Sequence, residues 1–468
     1  MTAPRLDLGS EAVWAPRVQS RPRYERQGEP GVVHLGLGAF HRAHQAMVFD
    51  RLLAAGDGRW GVHAMGMTQP ALVDALRAQD GLYAVRVANA QGSHWEVPGA
   101  LWRFNVAATE RNAVVQAIGA PATRWVTITV TEKGYTPALA QLLLDGLRQR
   151  WQQHLPGLTI ASCDNLQANG HQLQALLMKT STDACLQEWI QTHCAFPCSM
   201  VDRIVPASSD EVRALAVHEL GVQDPSALAV EAFWEWVIED RFANPADSPL
   251  LATHGVRVTP EVPVYEDAKL RMLNGSHSAM ALIGAVTGRP FIADCIGMPH
   301  IRALVHGLMG EEVAPNLHRT DWAMYRDALI ERFANPHLRH SVHQIATDSS
   351  LKIPLRWVPS IEAQLSRGAS TERHALAAAI WLRHGLAIDE QDQPYAIQDP
   401  QATWLMANAA KQREAPEAAL DALLSRTDFW GTQLPQHPDW RHRVAHWHRQ
   451  VLAQGVDRAI EQLLQAAP

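Results

Sequence analysis

At 468 residues the chain outgrows one ordinary core, so two large domains are expected. Hydrophobic residues at 47% and charged residues at 19% describe a soluble globular protein. Its apolar runs, of which Ala375–Leu382 is the longest, fall far short of the roughly 20 residues of a membrane span. A net charge of -7, with no dense Lys/Arg run, argues against a nucleic-acid partner.

Residues 1–28 are polar and rich in Pro and Arg, and read as an extended arm. Asp7, Glu11, Arg17 and Arg21 leave no room for the apolar stretch of a secretory signal. Strand-like runs then alternate with helical patterns. Gly31–Leu37 is β-rich and leads into a helical stretch from His41 to Ala54. Trp60–Met67 is a second strand, followed by a helix over about Pro70–Gln79. Leu82–Ala88, Trp95–Val106, Arg124–Val130 and Leu158–Cys163 continue the β pattern. A long helix opens at Thr136-Pro137, where Thr136 offers the cap and Pro137 the first turn. Strands alternating with helices predict βαβ units and a mostly parallel sheet.

The five cysteines, Cys163, Cys185, Cys194, Cys198 and Cys295, are odd in number and unpatterned. Reduced thiols in the cytoplasm fit better than a disulfide framework. After about Tyr265 the character changes. Leu270–Val286, His300–Met309, Trp322–Phe333, His374–Leu386 and Pro416–Ser425 all have helical spacing. The expectation is an α/β Rossmann-like domain over 1–265 and a mainly α-helical C-terminal domain over 266–468.

Val32-Val33-His34-Leu35-Gly36-Leu37-Gly38-Ala39-Phe40-His41 runs a strand into Gly-x-Gly and then a helix. The first glycine permits a tight turn, and the second lets backbone approach a pyrophosphate. His41 stands where the third glycine of the usual fingerprint would be. The second strand ends Met65-Gly66-Met67-Thr68-Gln69, with neither an acid for a ribose nor an Arg for a 2′-phosphate. That position therefore leaves both NAD and NADP open.

Tyr265 to His277 opens the second domain. At about 100° per residue, Glu266 lies about 60°, His277 about 80° and Asn274 about 140° from Lys269. Leu270 and Leu273 share that arc, so polar groups sit in an apolar wall. Hydride transfer to or from an alcohol carbon needs a partner for the hydroxyl proton. A lysine dehydrated enough to titrate near neutrality can serve. Asn and His can donate to the developing oxyanion. Gly275 costs a helix roughly 1 kcal/mol against Ala, which points to a close approach there.

His193, Cys194 and Cys198 lack a zinc spacing, and His442 with His446 lacks the following Glu of a metalloprotease helix. No metal is expected. His41 and His44 share a helix face beside the glycine turn, where packing or phosphate contact outweighs metal binding.

Taken together, Gly36–Ala46, Thr129–Tyr135, Ser162–Asn165, Phe196–Pro206 and Lys269–His277 resemble the long-chain, polyol-specific dehydrogenases of the mannitol dehydrogenase family. The resemblance runs almost end to end. It implies Lys269 as the acid/base, with Asn274 and His277 stabilising the oxyanion. It implies a dinucleotide, NAD with NADP left open, on Gly36, Gly38, Ala39, Phe40, His41 and Arg42, with Thr131 and Glu132 beside it. Asn165, Gln344 and Lys352 are implied as substrate contacts, without metal.

Within the family, Thr131–Tyr135, Asn169-Gly170-His171, Trp236–Asp240, and Leu338-Arg339-His340 leading to Gln344-Ile345-Ala346 are closer to the fructuronate reductases, which interconvert mannonate and fructuronate. Ser349 and Leu351, beside Lys352, depart from that pattern. A polyol dehydrogenase acting on mannitol or arabinitol is the alternative. The expected partner is a small sugar acid or polyol, and the expected state a monomer or small homo-oligomer.

Overall fold

The computed structural model describes residues 3–466 apart from 90 and 337–339, with backbone alone at 413. The chain divides into two units, Met1–Pro263 and Val264–Pro468.

In the first unit, strands β1 (Val32–Leu35), β2 (Val62–Gly66), β5 (Leu101–Val106), β6 (Trp125–Ile128) and β7 (Thr159–Ser162) form one parallel sheet in the order β5-β2-β1-β6-β7. The chain runs outward from β1 through β2 to β5, then returns to pair β6 on the other side of β1. That reversal leaves a crevice at the carboxyl ends of β1 and β6. Strands β1, β6 and β7 are buried along their whole length, as a helix-covered parallel sheet requires, whereas the edge strand β5 leaves Arg103 exposed. Val32, Val62 and Trp125 pack into one apolar cluster, whereas Val33, Met65 and Val126 pack into another. Thr136 caps the Pro137–Gln152 helix, accepting the N–H of Leu139.

Several elements differ from the sequence reading. The stretch His41–Ala54 is two helices, Ala39–Ala43 and Gln45–Ala54, because His44 leaves helical geometry at φ -130°, ψ -89°. Two small sheets appear, β4-β3-β9 and β11-β10-β8. They are built from β3 (Val85–Asn89), β4 (Gly92–Glu96), β8 (Ser199–Asp202), β9 (Leu228–Glu231), β10 (Glu235–Glu239) and β11 (Arg257–Thr259). The N-terminal arm is not merely extended. It forms short helical turns, and Leu6 and Trp14 are buried with Leu82, Ala84, Trp95 and Leu220.

The second unit is helical, with isolated bridges at Phe291–Ser341 and Ile388–Pro394. At its centre the Gly275–Thr287 helix is buried on nearly every side. The Val342–Ala346 and Glu372–His384 helices pack against it. Among the described residues no helix is long and apolar enough to cross a membrane.

Candidate active site

The glycine turn sits at the carboxyl end of β1. Gly36 has φ +102°, and a Cβ there would lie 2.1 Å from the carbonyl oxygen of Thr129. The fold itself therefore demands this glycine. Thr129 closes the turn: its N–H donates to the Leu35 carbonyl at 2.8 Å, and its hydroxyl to the Gly36 carbonyl at 2.9 Å. Gly38 is different. It has extended backbone at φ -136°, and a Cβ would meet nothing nearer than the Gly36 oxygen, at 3.6 Å. Space is left open beside it, and Gly38, Ala39 and Phe40 are all half-exposed.

The side chains of His41 and Arg42 do not face that space. His41 is fully buried, its ring stacked on His34 with centroids 3.3 Å apart. Burial drives both imidazoles toward the neutral form, His34 down to about 3. The His34 nitrogens lie 2.9 Å and 3.0 Å from the hydroxyls of Thr127 and Thr129. The Arg42 guanidinium donates to the carbonyls of Gly38 and Ser226 and lies over the Tyr83 ring. Any contact of these two residues with a ligand at the turn runs through backbone. An imidazole fills the interior behind the turn where a third glycine would leave room.

After β6, Thr131 adopts φ +65°, ψ 167°, a region almost reserved for glycine. The carboxylate of Asp164 accepts the N–H of Val130 and of Thr131, and the Tyr135 hydroxyl donates to it as well. Burial raises the carboxyl above its ordinary range. Glu132 is exposed beside this loop, and Asn165 is exposed immediately after Asp164. Asp164 has no role that the sequence alone assigns. A lone acid ending a buried strand was the available signal.

In the second unit the lysine helix is not a plain α-helix. An α-helical segment, Val262–Ala268, passes into a π-helical turn over Lys269–Asn274 and then into Gly275–Thr287. The Gly275 N–H donates to the Leu270 carbonyl, five residues back. Such a turn inserts one residue, so residue i+5 takes roughly the place that i+4 holds in an α-helix. Relative to a plain α-helix, the wide turn shifts Asn274 toward the lysine's face. Lys269, Asn274 and His277 are all half-buried. The His277 ring lies 4.7 Å from Phe333 and 5.5 Å from His340.

The Ser349–Arg356 helix carries Lys352. The ammonium donates to the carbonyls of Ile345 and Thr347 at 3.2 Å and 2.5 Å, and burial lowers its pKa. Ser349 is buried; its hydroxyl donates to Asp399 and accepts from the Trp381 indole. It anchors the helix start. Leu351 is 57% exposed and Gln344 is exposed on the Val342–Ala346 helix. Of the reductase-like segments, 338 and 339 lie outside the described residues.

Cys198 is grouped not with His193 but with His171 and Glu239, their ligand atoms all within 4.8 Å of one another. Glu239 accepts the Cys198 backbone N–H at 3.0 Å.

A parallel sheet in this order, with a glycine turn at its switch point, defines a Rossmann-type unit. With the lysine-bearing helical unit, the class is that of two-unit dehydrogenases. The mannitol dehydrogenase Rossmann domain matches residues 30–248, and the mannitol dehydrogenase C-terminal domain matches 261–452. The chain belongs to the mannitol dehydrogenase family of oxidoreductases. It is 34% identical to the D-mannonate oxidoreductase of Escherichia coli (strain K12), across 95% of this chain and 98% of that protein. The mannitol 2-dehydrogenase of Pseudomonas fluorescens, solved as a ternary complex with NAD and D-mannitol, superposes with a TM-score of 0.83 at 28% identity. That match spans 99% of this chain and 100% of the other. A D-sorbitol dehydrogenase in substrate-free form gives 0.88 at 27% identity, covering 97% and 100%.

Proposed function

We propose that this chain is an NAD-dependent oxidoreductase interconverting a secondary hydroxyl and a ketone on a sugar acid, with D-mannonate and D-fructuronate as the pair. The observation that supports the reading is the π turn over Lys269–Asn274, followed directly by the helix that carries His277.

NAD, when bound, accepts hydride from the alcohol carbon or returns it to the ketone. The turn fits such a group: the space at Gly38 admits a pyrophosphate against half-exposed backbone. Gly36, Gly38, Ala39 and Phe40 hold it, with the main chain of His41 and Arg42, and Thr131 and Glu132 flank it. Lys269 takes the hydroxyl proton during oxidation and supplies it during reduction. The Asn274 amide and His277 imidazole donate to the same oxygen as its charge develops. Asn165, Gln344 and Lys352 contact the substrate, and the Lys352 ammonium gives a carboxylate an ionic partner. Residues 1–265 form the dinucleotide-binding domain, which also supplies Asn165, and 266–468 the substrate and catalytic domain. The five free thiols fit the reducing cytoplasm, where we assign the protein as a monomer or small homo-oligomer.

Near-full-length similarity to a D-mannonate oxidoreductase supports the sugar acid. A second reading, a polyol dehydrogenase, draws on the mannitol and sorbitol enzymes of similar structure. The test is oxidation of NADH, and of NADPH, against fructuronate, tagaturonate, fructose and xylulose at equal concentration. A clear preference for fructuronate with NADH is expected. Faster turnover of the uncharged ketoses moves the protein to the polyol reading. Lys269→Ala should lose about 10²- to 10⁴-fold in kcat while still quenching with NADH.

A further inference from the structure

We propose that Arg356 and Trp357 are positioning residues that lock the register of the π turn and so hold Asn274 on the face of Lys269. The inference rests on the catalytic reading of Lys269, Asn274 and His277.

A π turn is an uncommon insertion in a helix, and tighter α geometry is its ordinary alternative. Relaxation to α hydrogen bonding would carry Asn274 around the helix, to about 140° from Lys269. Something must hold the wide form. The carbonyls of Asn274 and Gly275 stand where the helix returns to α geometry. Each accepts a side-chain donor from one neighbouring dipeptide. Arg356 Nη1 donates to the Asn274 carbonyl at 3.1 Å, and Trp357 Nε1 to the Gly275 carbonyl at 3.0 Å. Arg356 also donates to the Ser278 hydroxyl at 2.8 Å. Two successive carbonyls are thus tied to fixed donors, and a one-residue slip would break both bonds.

The donors themselves sit in the interior, Trp357 wholly and Arg356 partly. Trp357 is fully buried, and burial pushes the Arg356 guanidinium down to about 10. A Cβ on Gly275 would lie 3.4 Å from the Arg356 carbonyl and 3.6 Å from Trp357 Cδ1. This is the close approach that a mid-helix glycine implied. Arg356 lies four residues after Lys352, so both share one helix face. The start of that helix is pinned by Asp399, which accepts from the Ser349 and Ser350 hydroxyls and the Ser350 N–H. The proposed substrate lysine and the lock on the proposed oxyanion donor therefore ride on one rigid element.

The experiment compares Arg356→Met, Arg356→Lys and Trp357→Phe in the full-length protein. It reads steady-state kinetics, the pH profile of kcat, NADH affinity by fluorescence, and backbone hydrogen exchange over 262–287. Arg356→Met should lower kcat by about 10- to 100-fold, the scale of a small misplacement of a catalytic group. NADH affinity should stay within about threefold, exchange should rise in the peptides covering 269–278, and Arg356→Lys should recover much of kcat. Trp357→Phe, which removes one donor while keeping an aromatic ring, carries the test if Arg356→Met does not fold. Unchanged kcat and unchanged exchange in a folded variant overturn the lock. If Lys269→Ala keeps full activity while exchange at 269–278 still responds to Arg356→Met, the catalytic reading has failed and the lock stands as structure alone.

Discussion

The carboxylate of Asp164 accepts the backbone N–H of Thr131 at 2.8 Å, and Thr131 sits at φ +65°. A threonine in that region costs of order 1–3 kcal/mol and persists only where neighbours enforce it. Asp164→Ala removes the acceptor for two backbone donors and for the Tyr135 hydroxyl. It should lower unfolding free energy by about 1–3 kcal/mol and raise KM for the dinucleotide. Denaturant unfolding and NADH titration of the variant check both. A variant as stable as the parent with unchanged KM would show that the loop holds its shape without the carboxylate.

The two turn glycines should separate folding from ligand approach. Gly36→Ala drives a methyl onto the Thr129 carbonyl and should give little folded protein. Gly38→Ala meets no close atom and should keep the parental melting temperature within a few degrees. Its methyl enters the space assigned to the pyrophosphate, so KM for NAD should rise at least about tenfold. Equal NAD affinity in Gly38→Ala and the parent would move the dinucleotide elsewhere.

The His34–His41 stack makes stability depend on pH in one direction. His34 titrates near 3 in the folded chain against an ordinary 6.5, and His41 is shifted the same way. Above pH 6.5 the imidazoles are neutral in both states and contribute no slope. Between pH 6.5 and about 3 the unfolded chain binds protons that the folded chain cannot. Stability therefore falls on acidification, by up to about 1.4 kcal/mol per pH unit for His34 alone. Urea unfolding at pH 7.5, 6.5, 5.5 and 5.0 should show the decline, with a shallower slope in His34→Asn. An identical slope in that variant would assign the acid sensitivity to other groups.

Lys352 offers the clearest handle on substrate choice. A charge-assisted hydrogen bond to a carboxylate contributes about 1.5–3 kcal/mol. Lys352→Met should raise KM for fructuronate by roughly tenfold or more and leave fructose within about threefold. Equal losses on both substrates would mean that the ammonium orients the pocket rather than reading charge.

The parallel sheet was legible because its central strands are apolar and buried on both faces and are separated by helices with recognisable caps, as at Thr136-Pro137. Of the two small sheets, β3 was foreseen at Leu82–Ala88, but β8–β11 were not, since runs such as Ser199–Asp202 are short and end in polar residues. The lysine helix was found by spacing, though as a plain α-helix without its π turn. Assuming a uniform 3.6 residues per turn hides a π insertion, which depends on donors from Arg356 and Trp357 some 80 positions later. The resemblance implied His41 and Arg42 at the dinucleotide, with packing or phosphate contact open for His41. Nothing local in the sequence announces that His34 and Tyr83 draw their side chains inward.

The N-terminal arm carries a consequence for solubility. The Gln19 N–H donates to the Trp95 carbonyl, and the Val97 N–H to the Ser20 carbonyl, so the arm runs along the outer margin of β4. An uncovered margin of this kind invites pairing with another chain. Trimming the first twenty or so residues should therefore leave a protein that associates through β4 and precipitates, even with the lysine helix untouched.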